Sequence, residues 1–379
     1  MRRVLVSTIV VLQAAGCHPQ PINQALDTAC DDKQCVSITE VSNNIAKALD
    51  GKVVGYASYV GAPLGVPGHH GMARTAANAP AVDYQTATKM PVASLSKLVT
   101  ALAAVKVLGK HQIALTSAIG SHLPADWAVP PAVAAITFQE LLSHSSGIHN
   151  YGNTAQDYAD LKQFFSGLSN VSNKTRDYSN YNFSIFRILL PMIEGFTDTD
   201  LAKRPERLAA AYVQIVQASV FDPIGLHDVQ CKPAASGGAA KSYAFSYAFP
   251  GTSSGWDWGD DTLGCGHAGW YLSVDDVASL LLHIRDGDGL VVSKAQSDTM
   301  EKLVLGWDVA VDGSDYRYVE KNGGWGWNGT SLSTTAAIFG PGVIGVLFVN
   351  SDISGSPGVG ADTVLYNAYK AALKPKPAP

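Results

Sequence analysis

Residues 91–108, PVASLSKLVTALAAVKVL, place a serine and a lysine three positions apart where a proline-led turn becomes a predicted helix. Positions three apart lie on one face of an α-helix, so Ser94 and Lys97 can meet without help from tertiary structure. Apolar neighbours such as Leu98 and Leu102 indicate burial, which lowers the pKa of a lysine and lets it act as a base on a serine. A lone Ser-x-x-Lys arises by chance in many chains, however, and by itself this one is better interpreted as an ordinary helix start.

Two further motifs change that interpretation. DYSNYNFS supplies Tyr178 and Asn180, and EKNGG supplies Lys321, Gly323 and Gly324 on a predicted strand. In order and approximate spacing, the three motifs resemble Ser-x-x-Lys, Tyr-x-Asn and Lys-x-Gly of the penicillin-recognising serine hydrolases. The tyrosine in the second motif points to the branch that contains class C β-lactamases, DD-peptidases and esterases. The resemblance covers nearly the whole mature chain and includes the segments ITFQELLSHSSGI, FDPIGL and GHAGWYLSVDDVASLLLHI.

The resemblance implies a role for each matching residue. Ser94 would be the nucleophile, and Lys97 and Tyr178 would form its proton-transfer pair. Asn180 would orient Lys97 and the substrate carbonyl or amide. Which group first takes the serine proton is left open at this stage.

The third motif would complete the site. Lys321 would hold Tyr178 in an electropositive field and attract a substrate carboxylate, so that two flanking lysines are expected to lower the pKa of Tyr178. The backbone N–H groups of Ser94 and Gly324 would form the oxyanion hole.

One position departs from the family pattern. Asn322 stands where threonine or serine is common, so the usual hydroxyl contact to a β-lactam or peptide carboxylate is absent. Trp325 and Trp327 follow directly and either line a pocket for an apolar acyl group, which we favour, or cover the sheet. We therefore expect a small-molecule ester, peptide or β-lactam substrate, with esterase or D-peptidase activity favoured over efficient β-lactamase activity. The alternative is a non-catalytic, penicillin-binding-like protein that recognises the cell wall.

The ends of the chain predict its fold and domain organisation. A helix with Ser37 as its cap and two strands open the domain, and two strands joined at Gly340–Gly342 and a helix close it. Helical patterns lie between. We predict an α/β fold (an α+β sandwich) of the β-lactamase/transpeptidase-like kind, in which both chain ends build one antiparallel sheet flanked by helices and a mostly helical subdomain is inserted. The predicted domain is 37–373, with 37–110 and 293–373 as the α/β part, 111–292 as the helical part and 374–379 as a tail.

Two loops add expectations. Pro63, Gly65, Pro67 and Gly68 predict a loop between the first two strands. Residues 233–266, PAASGGAAKSYAFSYAFPGTSSGWDWGDDTLGCG, are either a binding loop or disordered surface. Ser253 in this loop fits Gly-x-Ser-x-Gly, but the strand and helix that such an elbow requires are missing, so we do not expect it to be the nucleophile.

The N-terminus predicts export. Arg2 and Arg3 precede an apolar run and small residues before Cys17, and the run is too short to span a bilayer. Residues 1–16 are the predicted signal and 17–36 a tether. AAGC resembles the bacterial lipobox, so Cys17 is a candidate for lipidation, with simple export as the alternative. We expect an exported bacterial protein, periplasmic or anchored to the membrane only through this lipid.

Four other cysteines are then left in an oxidising compartment: Cys30, Cys35, Cys231 and Cys265. Three pairings are possible, and we favour Cys30–Cys35 and Cys231–Cys265 because these pairs are nearest in sequence. The spacing of these cysteines is a poor match to a metal site, and no cofactor is expected. Histidines 69, 70, 144 and 149 are better interpreted as ordinary hydrogen-bonded side chains.

The composition of the chain excludes a disordered protein and a nucleic-acid-binding protein. The 379 residues are 46% hydrophobic and 16% charged, enough apolar material for a large core and too little charge for a disordered polyelectrolyte. A net charge of -5 and the lack of a dense basic run exclude a nucleic-acid footprint, so no nucleic-acid partner is expected. We expect a monomer.

Overall fold

The computed structural model describes residues 27–62, 65–152, 156–235, 237–244, 254–312, 317–356 and 358–376. Within these residues a seven-stranded sheet has the order β5-β4-β3-β11-β10-β9-β8, and every neighbouring pair is antiparallel. Both chain ends therefore contribute to one sheet, which confirms the predicted fold. The strands, in chain order, are β1 (Thr28–Cys30), β2 (Gln34–Ser37), β3 (Gly55–Gly61), β4 (Gly65–Arg74), β5 (Val82–Asp83), β6 (Met90–Pro91), β7 (Tyr271–Leu272), β8 (Val309–Asp312), β9 (Arg317–Trp327), β10 (Thr330–Phe339), β11 (Val343–Val349) and β12 (Leu373–Pro375).

Helices cover this sheet and fill the middle of the chain. Within the described residues they are α1 (Ile38–Leu49), α2 (Ser96–Lys110), α3 (Pro131–Ala134), α4 (Phe138–Leu142), α5 (Tyr158–Gly167), α6 (Tyr181–Ser184), α7 (Phe186–Ile193), α8 (Arg204–Val216), α9 (Val274–Asp286), α10 (Lys294–Lys302) and α11 (Ala361–Ala372). Helices α1 and α11 pack against each other on one face of the sheet, and α9 packs on the other face. The sheet is thus the middle layer of a sandwich.

Both faces of the central strands are buried, as a middle layer requires. In β10, Ala336 and Ile338 join the core shared with the helical region, whereas Ala337 and Phe339 join the core under α1 and α11. Successive side chains of a strand point to opposite faces, so this alternation follows from the pleat. It also explains why β11 has an almost uninterrupted apolar sequence.

Helix α1 begins as the sequence predicts. The Ser37 side chain accepts a hydrogen bond from the backbone N–H of Glu40, and Ile38, Val41 and Ile45 form its buried face. Such a cap satisfies one of the N–H groups that the first helical turn leaves unpaired. The predicted Gly340–Gly342 turn between β10 and β11 is also present.

Helix α2, in contrast, is buried on nearly all sides, from Ser96 to Leu108, with only Lys106 partly exposed in that span. A helix that is apolar all round belongs in the interior of a protein rather than at its surface. Its position at the centre of the larger core is what buries Lys97, the second residue of the helix.

The predicted loop after β3 is wrong at Gly65, Pro67 and Gly68, which belong to a strand, and Pro63 lies outside the described residues. Strand β4 already begins at Gly65 and includes Pro67 and Gly68, pairing with β3 from Gly61↔Gly65 to Gly55↔Gly71. Pro67 is tolerated because β5 pairs only with Met72 and Arg74, leaving the proline on an unpaired edge. A Cβ at position 65 would meet the ring of Tyr59, so a larger residue there would require that side chain to move.

Candidate active site

Ser94 lies in a short 3₁₀ turn, Ala93–Leu95, directly before α2. Ala93 has a φ of +48°, in the left-handed region, where an alanine is strained. Strand β9 presses against this turn, since a Cβ on Gly323 would meet the Val92 carbonyl and the Thr334 hydroxyl. Gly323 is thus required by close packing between the serine turn and the sheet.

Lys97 is fully buried and makes three polar contacts. Its Nζ lies 3.0 Å from Ser94 Oγ, 2.8 Å from Asn180 Oδ1 and 2.9 Å from the His267 carbonyl oxygen. Asn180 is itself held by donating from Nδ2 to the Gly152 carbonyl at 3.1 Å. The first two motifs are therefore brought together around one amine.

The electrostatic environment of Lys97 favours its neutral form. Burial holds the pKa of Lys97 well below its usual range, the nearby charge of Lys321 lowers it further, and Asp308 opposes this. Among the described residues no carboxylate forms an ion pair with Lys97. A buried amine without a counterion avoids the cost of desolvating a charge by losing its proton.

Tyr178 lies on the other side of Ser94. Its hydroxyl donates to Ser94 Oγ at 2.8 Å, and its ring is stacked between His144, at 4.5 Å, and Tyr151, at 5.5 Å. The expectation that two lysines lower its pKa is wrong. Burial raises the pKa of Tyr178 and Asp308 adds to this, outweighing the hydrogen bond with Ser94. The phenol is therefore a proton donor at neutral pH.

Lys321, on β9, carries its own counterion. Its Nζ lies 2.6 Å from Asp308 Oδ2 and donates to the Asn322 carbonyl at 2.8 Å. The same Asp308 oxygen accepts from the Asn322 backbone N–H at 3.0 Å. Burial lowers the pKa of Lys321, and Asp308 opposes that shift. Lys321 Nζ lies 5.8 Å from the centre of the Tyr178 ring.

The cleft above Ser94 has two lobes, and Ser94, Tyr151 and Gly324 line both. The tryptophan lobe, of about 520 Å³, is lined by Asp261, His267, Trp325 and Trp327. The arginine lobe, of about 600 Å³, is lined by Arg176, Tyr178, Asp308 and Asn322. A bound molecule with a central carbonyl at Ser94 can therefore extend in two directions.

A model of the family described as Beta-lactamase matches residues 44–368. The chain belongs to the β-lactamase family. Solved structures agree with this fold: a β-lactamase/D-alanine carboxypeptidase from Yersinia pestis is 16% identical with a TM-score of 0.63, covering 88% of this chain and 97% of that one. A class C β-lactamase from Rhodobacter sphaeroides is 15% identical with a TM-score of 0.62, covering 88% and 98%. A search of curated proteins found no significant match.

In this member of the β-lactamase family, described residues of the long loop 233–266 reach the cleft. Trp258 contacts Trp325, with ring centres 3.7 Å apart, and Trp256 lies 6.2 Å from Trp327. Trp325 and Trp327 are 37% and 57% exposed and line the tryptophan lobe. The described part of the loop is therefore a wall of the cleft. Ser253 lies outside the described residues.

Both favoured disulfides are present in the structure. Cys231–Cys265 ties together the two ends of the loop that carries Trp256 and Trp258, whereas Cys30–Cys35 joins β1 to β2 and neither of its residues lines the cleft. Cys17 lies outside the described residues. Within the described part of the chain, no cluster of side chains could hold a metal ion, and no helix is both long and apolar enough to cross a membrane.

Sequence reasoning missed several residues around Ser94. His144, interpreted as an ordinary histidine, is buried under Tyr178 and accepts at Nδ1 from the Ser179 backbone N–H at 3.3 Å. Burial holds the pKa of His144 well below its usual range. Asp308 belongs to no motif, and only strand pairing brings it to Lys321. Tyr151 and the His267 carbonyl likewise carry no local sequence signal.

Proposed function

We propose that the protein is a serine hydrolase that forms an acyl-enzyme at Ser94 and acts on ester or D-peptide carbonyls in preference to β-lactams. The hydrogen bonding of Lys97 is the observation that carries this proposal. Membership of the β-lactamase family supports a serine hydrolase in general terms, and the residue roles and the substrate are our inference.

A neutral amine has two N–H donors and one lone pair. The Asn180 Oδ1 and the His267 carbonyl can only accept, so they take both N–H groups of Lys97. The lone pair is left for the Ser94 hydroxyl at 3.0 Å. Ser94 Oγ in turn accepts from the Tyr178 phenol. The hydrogen bonds of Lys97, Ser94 and Tyr178 are therefore all satisfied if Lys97 is the base and Tyr178 is the acid.

Acylation then proceeds in two proton transfers. Ser94 Oγ attacks the carbonyl carbon while its proton passes to Lys97 Nζ, and a tetrahedral oxyanion forms. The bond to the leaving group breaks as the Tyr178 phenol gives its proton to the departing oxygen or nitrogen, and the proton held by Lys97 replaces it. The products are an ester on Ser94 and a neutral alcohol or amine.

Deacylation reverses these roles. Water attacks the Ser94 ester and gives up one proton to the Lys97–Tyr178 pair, which returns a proton to Ser94 Oγ as the free acid leaves. We assign stabilisation of the oxyanion in both steps to the backbone N–H groups of Ser94 and Gly324, which line both lobes.

The two lobes support an orientation for the substrate. Tyr178, the acid for the leaving group, lines the arginine lobe, so the leaving group occupies that lobe. The acyl group then lies in the tryptophan lobe, where Trp325 and Trp327 offer apolar surface. Asn322 supplies no hydroxyl to the carboxylate of a β-lactam or a peptide, which supports the preference for esters.

Mass spectrometry after exposure to a fluorophosphonate tests the proposal. We expect one adduct on the peptide that contains Ser94 and none in Ser94→Ala. A second expected result is turnover of a neutral aryl ester by the wild type only. Absence of both adduct and turnover in folded protein would favour the alternative, a non-catalytic recognition protein.

Further inferences rest on the sequence alone. We propose export, with Cys17 lipidated and the protein anchored by that lipid, and we propose a monomer with a hydrolase domain spanning residues 37–373. Mass measurement of the mature N-terminal peptide, with and without Cys17→Ala, would show whether a diacylglyceryl group is attached.

A further inference from the structure

Lys321 is covered by a carboxylate of its own chain. The Lys321 side chain is 1% exposed and that of Asp308 is 16% exposed, so the carboxylate lies between the ammonium and the cleft. Asp308 Oδ2 accepts from both Lys321 Nζ and the Asn322 backbone N–H. These two donors point at one position, and Asp308 occupies it. Asp308 lines the arginine lobe, whereas Lys321 does not.

The fold fixes Asp308 at this position from two sides. Asp308 directly precedes β8, and its backbone N–H donates to the Glu320 carbonyl at 2.8 Å, next to Lys321 on β9. From the opposite side, Arg176 donates from one terminal nitrogen to the Asp308 carbonyl at 2.8 Å and from the other to the Trp307 carbonyl at 3.0 Å. The carboxylate is therefore held by backbone contacts and does not depend on its ion pair alone.

We propose that Asp308 is a specificity-determining residue, a built-in counterion that fills the anion site of Lys321 and Asn322 and so excludes substrates whose leaving group carries a carboxylate. This inference rests on the proposed acyl-enzyme at Ser94 and narrows its substrates to acyl donors with a neutral leaving group, which excludes D-peptides that would release a C-terminal amino acid. A carboxylate in the arginine lobe would have to displace Asp308 or lie beside it, and like charges at such a distance repel.

Arg176, the cation that lines the arginine lobe, does not offer a substrate carboxylate an alternative binding site. Its side chain is exposed, and its terminal nitrogens are already used by two backbone carbonyls. An exposed cation is screened by water and salt, so its attraction for a substrate carboxylate is weak compared with that of a buried pair of donors.

The wild-type protein gives the first test. Two esters are compared, 3-carboxyphenyl butyrate and 3-carbamoylphenyl butyrate, which share the acyl group and differ at the leaving group by one charge. We expect the carboxamide ester to have a kcat/KM higher by about tenfold, mainly through KM, because Asp308 repels the carboxylate. Equal values, or a preference for the carboxylate ester, would overturn the proposal.

Variants of Asp308 give the second test. Asp308→Asn keeps the shape but removes the charge, and Asp308→Ala also vacates the position between Lys321 and Asn322. We expect the ratio of kcat/KM, carboxylate over carboxamide ester, to rise about tenfold in Asp308→Asn and further in Asp308→Ala, where two donors are free to bind the substrate. Asp177→Asn is the matched control, because this exposed carboxylate adjoins Tyr178 in the chain but pairs with His149. Its ratio should equal that of the wild type.

The outcomes separate the two proposals. An unchanged ratio in both Asp308 variants, with the carboxamide ester still hydrolysed, would show that Asp308 does not set specificity while leaving the hydrolase intact. If neither ester is hydrolysed by the wild type, the proposed function itself fails. Turnover of the carboxamide ester also reports that each variant is folded, and if both variants fail to fold the wild-type ratio alone decides.

Discussion

Lys97 and Lys321 are both fully buried, with their Nζ atoms 4.9 and 5.8 Å from the centre of the Tyr178 ring, yet their surroundings differ in one respect. Lys97 Nζ contacts a hydroxyl, an amide oxygen and a backbone carbonyl, all of them uncharged. Lys321 Nζ contacts the Asp308 carboxylate at 2.6 Å. A buried lysine without a counterion gives up its proton and can act as a base. A buried lysine paired with a carboxylate stays charged and supplies a fixed electrostatic field. We therefore propose two chemical roles for the same residue type, which are set by a single carboxylate.

The largest expected effect comes from removing the base. Lys97→Met keeps the unbranched shape, and we expect acylation by a neutral aryl ester to fall on the order of 10²–10⁴-fold, because Ser94 then has no group to take its proton. The Asn180 and His267 oxygens lose their donor, at a cost of about 1–3 kcal/mol in the free energy of unfolding. Stopped-flow acylation and thermal unfolding measure the two effects. Near-normal acylation in a folded Lys97→Met variant would show that Lys97 is not the base that sets it apart from Lys321.

The charges around Lys97 predict opposite shifts in the pH profile. Lys321 lowers the pKa of Lys97 and Asp308 raises it. Since only the neutral amine is active, kcat/KM rises with pH through the pKa of Lys97. Lys321→Met should move this rise to higher pH, and Asp308→Asn should move it to lower pH. Profiles measured on a neutral ester check both signs, and shifts in the same direction would contradict the arrangement.

Tyr178→Phe should have a smaller effect that depends on the leaving group. Removing the phenol takes away the proton that the leaving group needs, so we expect a loss of about tenfold for an activated 4-nitrophenyl ester and about 10²-fold or more for an alkyl ester. The burial that raises the pKa of Tyr178 supports an acid that keeps its proton until that step. Steady-state kinetics across a series of leaving groups measures the dependence, and equal losses throughout would count against proton donation.

The smallest expected effect comes from removing either disulfide, and it concerns the tryptophan lobe of the cleft. Replacing Cys231 and Cys265 by alanine loosens the loop that brings Trp256 and Trp258 to the tryptophan lobe. We expect KM for an ester with a large apolar acyl group to rise a few-fold, and the free energy of unfolding to fall by about 2–4 kcal/mol. Replacing Cys30 and Cys35 is the matched control, which should lower stability but leave KM unchanged. Equal KM values in both double variants would show that the loop does not shape the lobe.

Local motifs predicted the parts of the site that depend on short spacing. Ser94 and Lys97 are one helical turn apart, and the Ser37 cap of α1 is likewise a local feature. Asp308 could not be predicted, because it reaches Lys321 only through the pairing of β8 with β9, and no motif marks it. The sign of the Tyr178 pKa was missed for the same reason: the sequence shows two lysines but neither the burial of the ring nor the carboxylate that neutralises one of them.

The second strand was predicted, but its start at Gly65 was missed for a different reason. Pro67 and the nearby glycines are typical of loops, and only the position of β4, whose second neighbour is too short to pair with Pro67, makes a strand possible there. The long loop 233–266 could be interpreted in two ways because its composition suits both. Its described residues Trp256 and Trp258 lie beside Trp327 and Trp325 at the cleft, a contact that the composition does not reveal.

Whether Lys97 is neutral decides whether it can take the proton of Ser94, and NMR of protein labelled with ¹³C at lysine Cε measures its protonation state directly. The Cε signal of Lys97 is assigned by its absence in Lys97→Met and is then followed as pH is raised. We expect a neutral amine at pH 8, with a transition far below that of exposed lysines, whereas Lys321 stays charged at the same pH. A Lys97 signal that still reports an ammonium group above pH 9 would show that Lys97 is not the base.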